Sequence, residues 1–116
     1  MPPTVVLIVE DEVLVQDLLA DMVTELGHRV ITASNADEAL KLLEARRDIT
    51  VVITDIDMPG SMDGLRLAAV VRDRWPPTRL IITTAKSRPE TLPERAYFVA
   101  KPYSSFQIGE AMDRVT

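Results

Sequence analysis

The sequence contains no cysteine among its 116 residues. A disulfide framework, a thiolate zinc site and a cysteine nucleophile are therefore excluded. A chain without cysteine also suits the reducing conditions of the cytosol.

Long hydrophobic runs are absent as well. The apolar run at residues 4–9 is too short to cross a bilayer, and it lacks the basic flank and cleavage site of a secretory signal. We therefore expect a cytoplasmic protein with no membrane partner. No internal repeat, linker or low-complexity segment is visible, and the length suits one domain, so we predict a single domain over residues 1–116.

Positive charge is comparatively scarce, with 13 Lys and Arg against 18 Asp and Glu, for a net charge of −5. This balance disfavours direct binding of nucleic acid, because phosphate contacts require clustered Lys and Arg. The excess of acid either serves solubility or reflects a local cluster of carboxylates, and the net charge alone leaves both readings open.

The sequence does contain a regular alternation of β-branched runs and amphipathic stretches. Residues 5–9 are typical of a strand buried on both faces. Periodic apolar residues from Val15 through Leu18 to Leu26 then indicate a helix, which Gly27 ends. Further strands are predicted at residues 28–33, 50–54, 80–83 and 96–100. The alternation predicts an α/β fold, a parallel sheet with helices on both faces.

The helix boundaries carry recognisable signals. Asn35 and Glu38 form a predicted capping box, and Ser105 is the predicted cap of the last helix. Pro76-Pro77 ends the helix after the third strand. Residues 86–95 contain two prolines and little periodicity, so a helix there is expected to be short or absent.

Polar residues lie at the ends of four predicted strands. In open parallel sheets the binding site lies beyond the carboxyl ends of the strands. The candidates are Glu10 and Asp11, Asp55 with Asp57, Thr84, and Lys101. Each residue alone has an ordinary explanation as a cap, a turn, a strand residue or a solvated charge.

The combination is more informative than its members. Adjacent carboxylates repel one another unless a cation neutralises them, and their oxygens suit Mg²⁺ beside a phosphate. A lysine and a hydroxyl supply donors for phosphoryl oxygens, and a carboxylate can itself become an aspartyl-phosphate.

Four motifs resemble the receiver domains of two-component response regulators. They are Ile8-Val9-Glu10-Asp11-Glu12, Asp55-Ile56-Asp57-Met58-Pro59 with Met62-Asp63-Gly64, Thr84-Ala85, and Lys101-Pro102. The resemblance covers essentially the whole chain. It implies a flavodoxin-like (βα)5 fold, with five parallel strands in the order 2-1-3-4-5 and five flanking helices.

The resemblance also implies the chemistry of the site. Asp55 matches the phosphoacceptor. Glu10, Asp11 and Asp55 match the residues that hold Mg²⁺, and Asp57 would add its backbone carbonyl. Lys101 matches the lysine that binds a phosphoryl oxygen, and its bond to the following proline is expected to be cis.

The remaining implied roles concern signalling. Thr84 matches the hydroxyl that moves toward the phosphoryl group, and Phe98 matches the aromatic that reorients with it. Asp57 and Lys86, two residues after Asp55 and Thr84, are predicted to form an ion pair that sets the lifetime of the phosphoryl group. The implied partners are a histidine kinase or histidine phosphotransfer protein as donor, and an output partner or effector domain. A homodimer is neither specified nor excluded by any pattern.

Three alternatives stay open. The spacing of Asp55 and Asp57 also resembles haloacid-dehalogenase-type phosphatases, although that reading leaves Glu10 and Asp11 unexplained. A flavodoxin-like carrier requires a Ser/Thr/Gly-rich phosphate loop, and none follows Val9. A receiver that no longer takes phosphate is the third. We expect a phosphoacceptor that catalyses its own phosphorylation and dephosphorylation rather than a conventional enzyme.

Overall fold

The computed structural model describes residues 4–116, which form five strands and four helices. In chain order they are β1 (Val5–Val9), α1 (Val13–Glu25), β2 (Arg29–Ala33), α2 (Ala36–Ala45), β3 (Ile49–Asp55), α3 (Gly64–Arg74), β4 (Arg79–Thr84), β5 (Ala96–Ala100) and α4 (Ser105–Val115). Small differences from the predicted limits include β2, which begins at Arg29 rather than His28, and β3, which extends to Asp55. None of the described helices is both long and apolar enough to cross a membrane.

The five strands form one parallel sheet in the order β2-β1-β3-β4-β5, which confirms the predicted class and strand order. The chain winds outward from β1 in one direction and from β3 in the other. In open parallel sheets of this kind the ligand-binding crevice is expected beyond the carboxyl ends of the strands at which the winding direction changes, here β1 and β3.

Alternate residues of β1 face opposite sides of the sheet, as the pleat requires. Val6 and Ile8 join the apolar cluster under α1 and α4, whereas Leu7 and Val9 join the cluster under α2 and α3. The strand is buried along its whole length, which explains its unbroken apolar sequence.

The buried face of α1 agrees with the predicted pattern at Leu19 but differs from it at Leu18. Leu19 and Val23 are buried, whereas Leu18, which the periodicity assigns to the core, is 56% exposed. Apolar residues stand side by side in α1, as at Leu18 and Leu19, so the pattern allows more than one stripe to face the sheet.

The caps differ in detail from the prediction. The N-cap of α4 is Ser104 rather than Ser105, because only Ser104 has a partner, Gln107, that completes a reciprocal capping box. At α2, Asn35 accepts the Glu38 N–H as predicted, but the Glu38 side chain accepts the N–H of Ser34, so that capping box is incomplete.

Residues 86–95 contain no helix, so four helices flank the sheet instead of the five that the resemblance implies. The expectation of a short or absent helix is therefore confirmed. Leu92 packs against the cluster under α2 and α3. The Arg72 side chain donates to the Glu94 carbonyl at 2.9 Å, and this bond holds the segment against α3.

Candidate functional site

Three carboxylates meet at the carboxyl edge of the sheet. Glu10 and Asp11 follow β1, and Asp55 is the last residue of the neighbouring strand β3. One oxygen from each of the three side chains lies within 4.8 Å of the others. Parallel neighbours end at the same edge, so residues far apart in sequence become one acidic cluster.

The backbone around Glu10 is held by several hydrogen bonds. The Glu10 N–H donates to the Ala33 carbonyl at 3.0 Å, and the Glu12 N–H donates to Glu10 Oε2 at 3.2 Å. The Gln16 side chain bridges the carbonyls of Glu10 and Ala33 at 2.9 and 3.2 Å. Gln16 was not predicted as a site residue, because a polar residue on a helix carries no signal of its target.

Lys101 joins the cluster from the end of β5. Its Nζ lies 2.6 Å from Glu10 Oε1 and 3.5 Å from Asp55 Oδ1, and its peptide bond to Pro102 is cis, as predicted. Burial lowers the pKa of Lys101, but the hydrogen bond to Glu10 and the attraction of Asp55 outweigh it, so the pKa is raised overall. The ammonium therefore remains charged beside the carboxylates.

Asp55 is only 5% exposed. Burial raises the pKa of Asp55 to about 6, against the attraction of Lys101 and with a further rise from the charge of Glu10. Its Oδ1 accepts no hydrogen bond from any described residue. Apart from the Lys101 ammonium at 3.5 Å, this buried oxygen has no polar partner among the described residues, so it is available to a cation or an incoming group.

The acidic cluster fits a hard divalent cation. Three carboxylate oxygens within reach of one another, one of them without a hydrogen bond, match the oxygen ligands that Mg²⁺ prefers. Glu10, Asp11 and Asp55 are the residues that would hold the ion.

The structure shows why the second motif has a glycine at position 64. Its N–H donates to the Ile56 carbonyl at 2.9 Å. A Cβ at this position would lie 1.9 Å from the Asp55 carbonyl oxygen, so no other residue fits without moving the backbone. Helix α3 therefore begins directly against the end of the strand that carries Asp55.

Thr84, Asp57 and Lys86 form a second group beside the carboxylates. The Thr84 hydroxyl donates to Asp57 Oδ2 at 2.9 Å and accepts the Lys86 N–H at 3.1 Å. Lys86 Nζ lies 3.3 Å from Asp57 Oδ1, so the predicted ion pair is present in the structure. Its effect on phosphoryl lifetime stays a prediction, and the bond from Thr84 to Asp57 was not predicted.

Phe98 lies on β5 in register with Ile82 of β4, two residues before Thr84. Its ring is partly buried, and the guanidinium carbon of Arg88 lies 5.9 Å from the ring centroid. The segment 86–95 therefore contacts the predicted switch aromatic directly, while the switching role itself stays a prediction.

Tyr103 is a further polar group near the site that sequence reasoning missed. Its hydroxyl is buried without a hydrogen-bond partner among the described residues. Burial raises the pKa of Tyr103 to about 12, and the charges of Lys101, Glu10 and Asp55 also act on it. In the sequence, an aromatic residue two positions after Lys101 is most simply interpreted as a packing residue. Only the structure shows that its hydroxyl oxygen is buried near the site.

Comparison with known proteins agrees with this geometry. The family model described as the response regulator receiver domain matches residues 6–112. The response regulator protein FleR of Pseudomonas aeruginosa is 38% identical over 80 residues, which are 69% of this chain and 16% of that protein. A putative NtrX-like response regulator of Rickettsia bellii is 34% identical over 106 residues, which are 86% of this chain and 22% of that protein.

The fold comparison gives the same result. The response regulator TrrA of Thermotoga maritima, solved in complex with Mg²⁺-BeF, has a TM-score of 0.88 and 30% identity, with 97% of this chain and 99% of that chain covered. The chain thus matches that structure nearly end to end, whereas it spans less than a quarter of the two curated relatives.

Proposed function

Because the chain belongs to the response regulator receiver domain family, we propose that residues 1–116 form one receiver domain that takes a phosphoryl group on Asp55. The observation that carries the proposal is the buried Asp55 carboxylate, whose Oδ1 has no hydrogen-bond partner among the described residues, beside two further carboxylates and a lysine. This arrangement supplies a nucleophile together with the charges that phosphoryl transfer requires.

The donor in this proposal is a phosphohistidine on a histidine kinase or a histidine phosphotransfer protein. An Asp55 oxygen bonds to phosphorus as the P–N bond breaks, and the electron pair of that bond stays on the histidine nitrogen. With a pKa of about 6, Asp55 is largely ionised at neutral pH and needs no base. Lys101, only 3.5 Å from Asp55, then binds a phosphoryl oxygen.

A divalent cation completes the site in this proposal. Glu10, Asp11 and Asp55 would hold Mg²⁺ through their side chains, and Asp57 through its backbone carbonyl. When bound, the ion neutralises negative charge on the phosphoryl oxygens. Removal of Mg²⁺ with a chelator should therefore abolish phosphorylation.

The response in this proposal is a change of surface. Thr84 moves toward the phosphoryl group and Phe98 reorients with it, and the new surface is read by an output partner or effector domain. The contact between Phe98 and Arg88 supports a readout through the segment 86–95, which replaces the helix of the family pattern.

The ion pair of Asp57 and Lys86 is proposed to set the lifetime of the phosphoryl group. Both side chains are well exposed, so the pair adds about 0–1 kcal/mol to stability at most. A kinetic effect is consistent with the place of the pair beside the acceptor, where it obstructs an attacking water. Non-additive dephosphorylation rates for Asp57→Asn, Lys86→Ala and the double variant would support this role.

Exposed apolar side chains near the carboxyl edge support docking of a donor protein. Leu14, in the first turn of α1 after Asp11, is 83% exposed, and Phe106, in the first turn of α4, is 76% exposed. Both helices begin just beyond the carboxyl ends of strands, so these two side chains lie on the same edge of the sheet as Asp55, and exposed apolar surface there suits a protein contact. Leu14→Asp should slow transfer from a histidine phosphotransfer protein and leave labelling by acetyl phosphate unchanged.

The central test is labelling with radioactive acetyl phosphate in the presence of Mg²⁺. The parent protein should take one phosphoryl group, and Asp55→Asn should take none. Asp48→Asn is the matched control, because Asp48 is an exposed aspartate beside the opposite end of the same strand. Full labelling of Asp55→Asn at another carboxylate would contradict the assignment.

The phosphatase alternative makes a different prediction. A haloacid-dehalogenase-type enzyme turns over phosphate esters, whereas the proposed receiver hydrolyses only its own aspartyl-phosphate. In the structure the Asp57 carboxylate is engaged by Thr84 and Lys86 and is not a free acid or base. Sustained turnover of p-nitrophenyl phosphate that requires Asp57 would favour the phosphatase.

A further inference from the structure

The Thr84 hydroxyl has one hydrogen-bond partner as a donor and one as an acceptor in the resting structure. It donates its proton to Asp57 Oδ2 at 2.9 Å and accepts the backbone N–H of Lys86 at 3.1 Å. Thr84 is only 1% exposed, so water does not replace either partner. Asp57 thus acts as the acceptor for a buried donor.

A threonine hydroxyl has a single proton to donate. Donation to Asp57 and donation to a phosphoryl oxygen on Asp55 therefore exclude one another. The resting acceptor is a carboxylate, and hydrogen bonds to ionised acceptors are stronger than those between neutral groups. A phosphoryl group must therefore compete with Asp57 for the Thr84 proton.

We propose that the Asp57 carboxylate is a positioning residue that holds the Thr84 hydroxyl in its resting place, and so sets how readily the site adopts the phosphoryl-bound conformation. The proposal rests on the proposed function of Asp55 and Thr84 and adds a role in the equilibrium between the two conformations. It is separate from the proposed effect of Asp57 on water attack, which concerns a rate.

Lys86 supports the same arrangement from two directions. Its N–H occupies an acceptor site on the Thr84 oxygen, which leaves the hydroxyl proton directed to Asp57. Its ammonium, 3.3 Å from Asp57 Oδ1, holds the carboxylate that receives that proton. The side chain of Lys86 is 78% exposed, so the ammonium contributes less than the buried hydroxyl bond.

Calorimetric titration with beryllium trifluoride, a phosphoryl mimic, in saturating Mg²⁺ tests the proposal. Asp57→Ala removes the resting acceptor and keeps the backbone carbonyl, so it should tighten binding about tenfold, the usual worth of a hydrogen bond to a charged group. Asp57→Asn keeps an acceptor oxygen and should bind more like the parent. Glu12→Ala removes a nearby exposed carboxylate whose side chain bonds to no described residue, and it measures the effect of charge alone.

A double-mutant cycle with Thr84→Val identifies the mechanism. If Asp57 acts through the hydroxyl, Asp57→Ala should lose most of its effect on beryllium trifluoride binding once Thr84→Val has removed that hydroxyl. Any tightening that remains should be no larger than the effect of Glu12→Ala in the parent, which measures charge alone. An equal fold-change in both backgrounds, or weaker binding by Asp57→Ala, would overturn the proposal and leave the phosphoacceptor site intact. A parent protein that binds no beryllium trifluoride and takes no label from acetyl phosphate would remove the proposed function itself.

Discussion

Asp55→Asn should stabilise the resting protein, although it removes the residue on which the proposed function depends. The Asp55 side chain is 5% exposed and its pKa is raised to about 6, chiefly by burial, from an ordinary value of 3.8. The ionised carboxylate therefore favours the unfolded state. Asparagine has almost the same shape and carries no charge, so it removes this cost.

The size and sign of the stability change follow from the pKa of Asp55 in the folded protein and in the unfolded chain. Between pH 4 and pH 6 the folded protein holds a proton that the unfolded chain has lost, so stability falls as the pH rises through this interval. Above it, the cost of the ionised group is about 3 kcal/mol, from about 1.4 kcal/mol for each pKa unit. The stability gained by Asp55→Asn should be near zero at pH 4 and reach about 3 kcal/mol at pH 8.

The assay is urea unfolding of both proteins between pH 4 and pH 8 in buffer with a chelator. Asp48→Asn provides a control of opposite sign, because the hydrogen bond from Arg46 lowers the pKa of Asp48 and its charge contributes stability above pH 4. Addition of Mg²⁺ should stabilise the parent more than Asp55→Asn. A stability difference that is constant with pH, or that favours the parent at pH 8, would refute the account of Asp55 as a costly buried charge.

Three further predictions concern packing. Gly64→Ala should destabilise the protein by about 3 kcal/mol or more in urea unfolding, because its Cβ would lie 1.9 Å from backbone. Gly109→Ala, in α4, should instead stabilise by about 0.5–1 kcal/mol, because its Cβ would make only an ordinary 3.6 Å contact with the Leu26 side chain. Arg72→Ala should accelerate proteolysis between residues 86 and 95, because it removes the bond to Glu94, and unchanged cleavage would show that Leu92 alone holds the segment. Tyr103→Phe should leave the melting temperature unchanged or raise it, since the hydroxyl has no partner among the described residues; a lower value would reveal one.

The sequence predicts the fold and the acidic cluster for the same physical reason. A sheet covered on both faces needs continuous apolar strands, and parallel strands end at one edge, so the polar residues after them converge. Asp55 ends β3 and Lys101 follows β5, and their side chains therefore come within 3.5 Å of each other, as the positions of the strand ends predicted.

The contacts and exposures that the sequence did not predict depend on the directions in which side chains point. The exposure of Leu18 follows from the rotation of α1 about its axis, which adjacent apolar residues such as Leu18 and Leu19 do not fix. The bond from Thr84 to Asp57 and the bridge of Gln16 between two carbonyls depend on rotamers chosen in the folded structure. The resemblance implied five helices, whereas the structure has four in the described residues. The prolines and weak periodicity of residues 86–95 predicted this difference correctly.

The position of β3 has a consequence for the timescale of motion. It is paired with β1 and β4 on its two edges, and six of its seven residues are buried. Amides of such a strand exchange with solvent only when the whole domain opens, whereas a segment without regular hydrogen bonds, such as 86–95, opens far more often. The proposed phosphoacceptor thus ends a strand that we expect to exchange slowly, whereas we expect faster exchange in the segment beside Phe98.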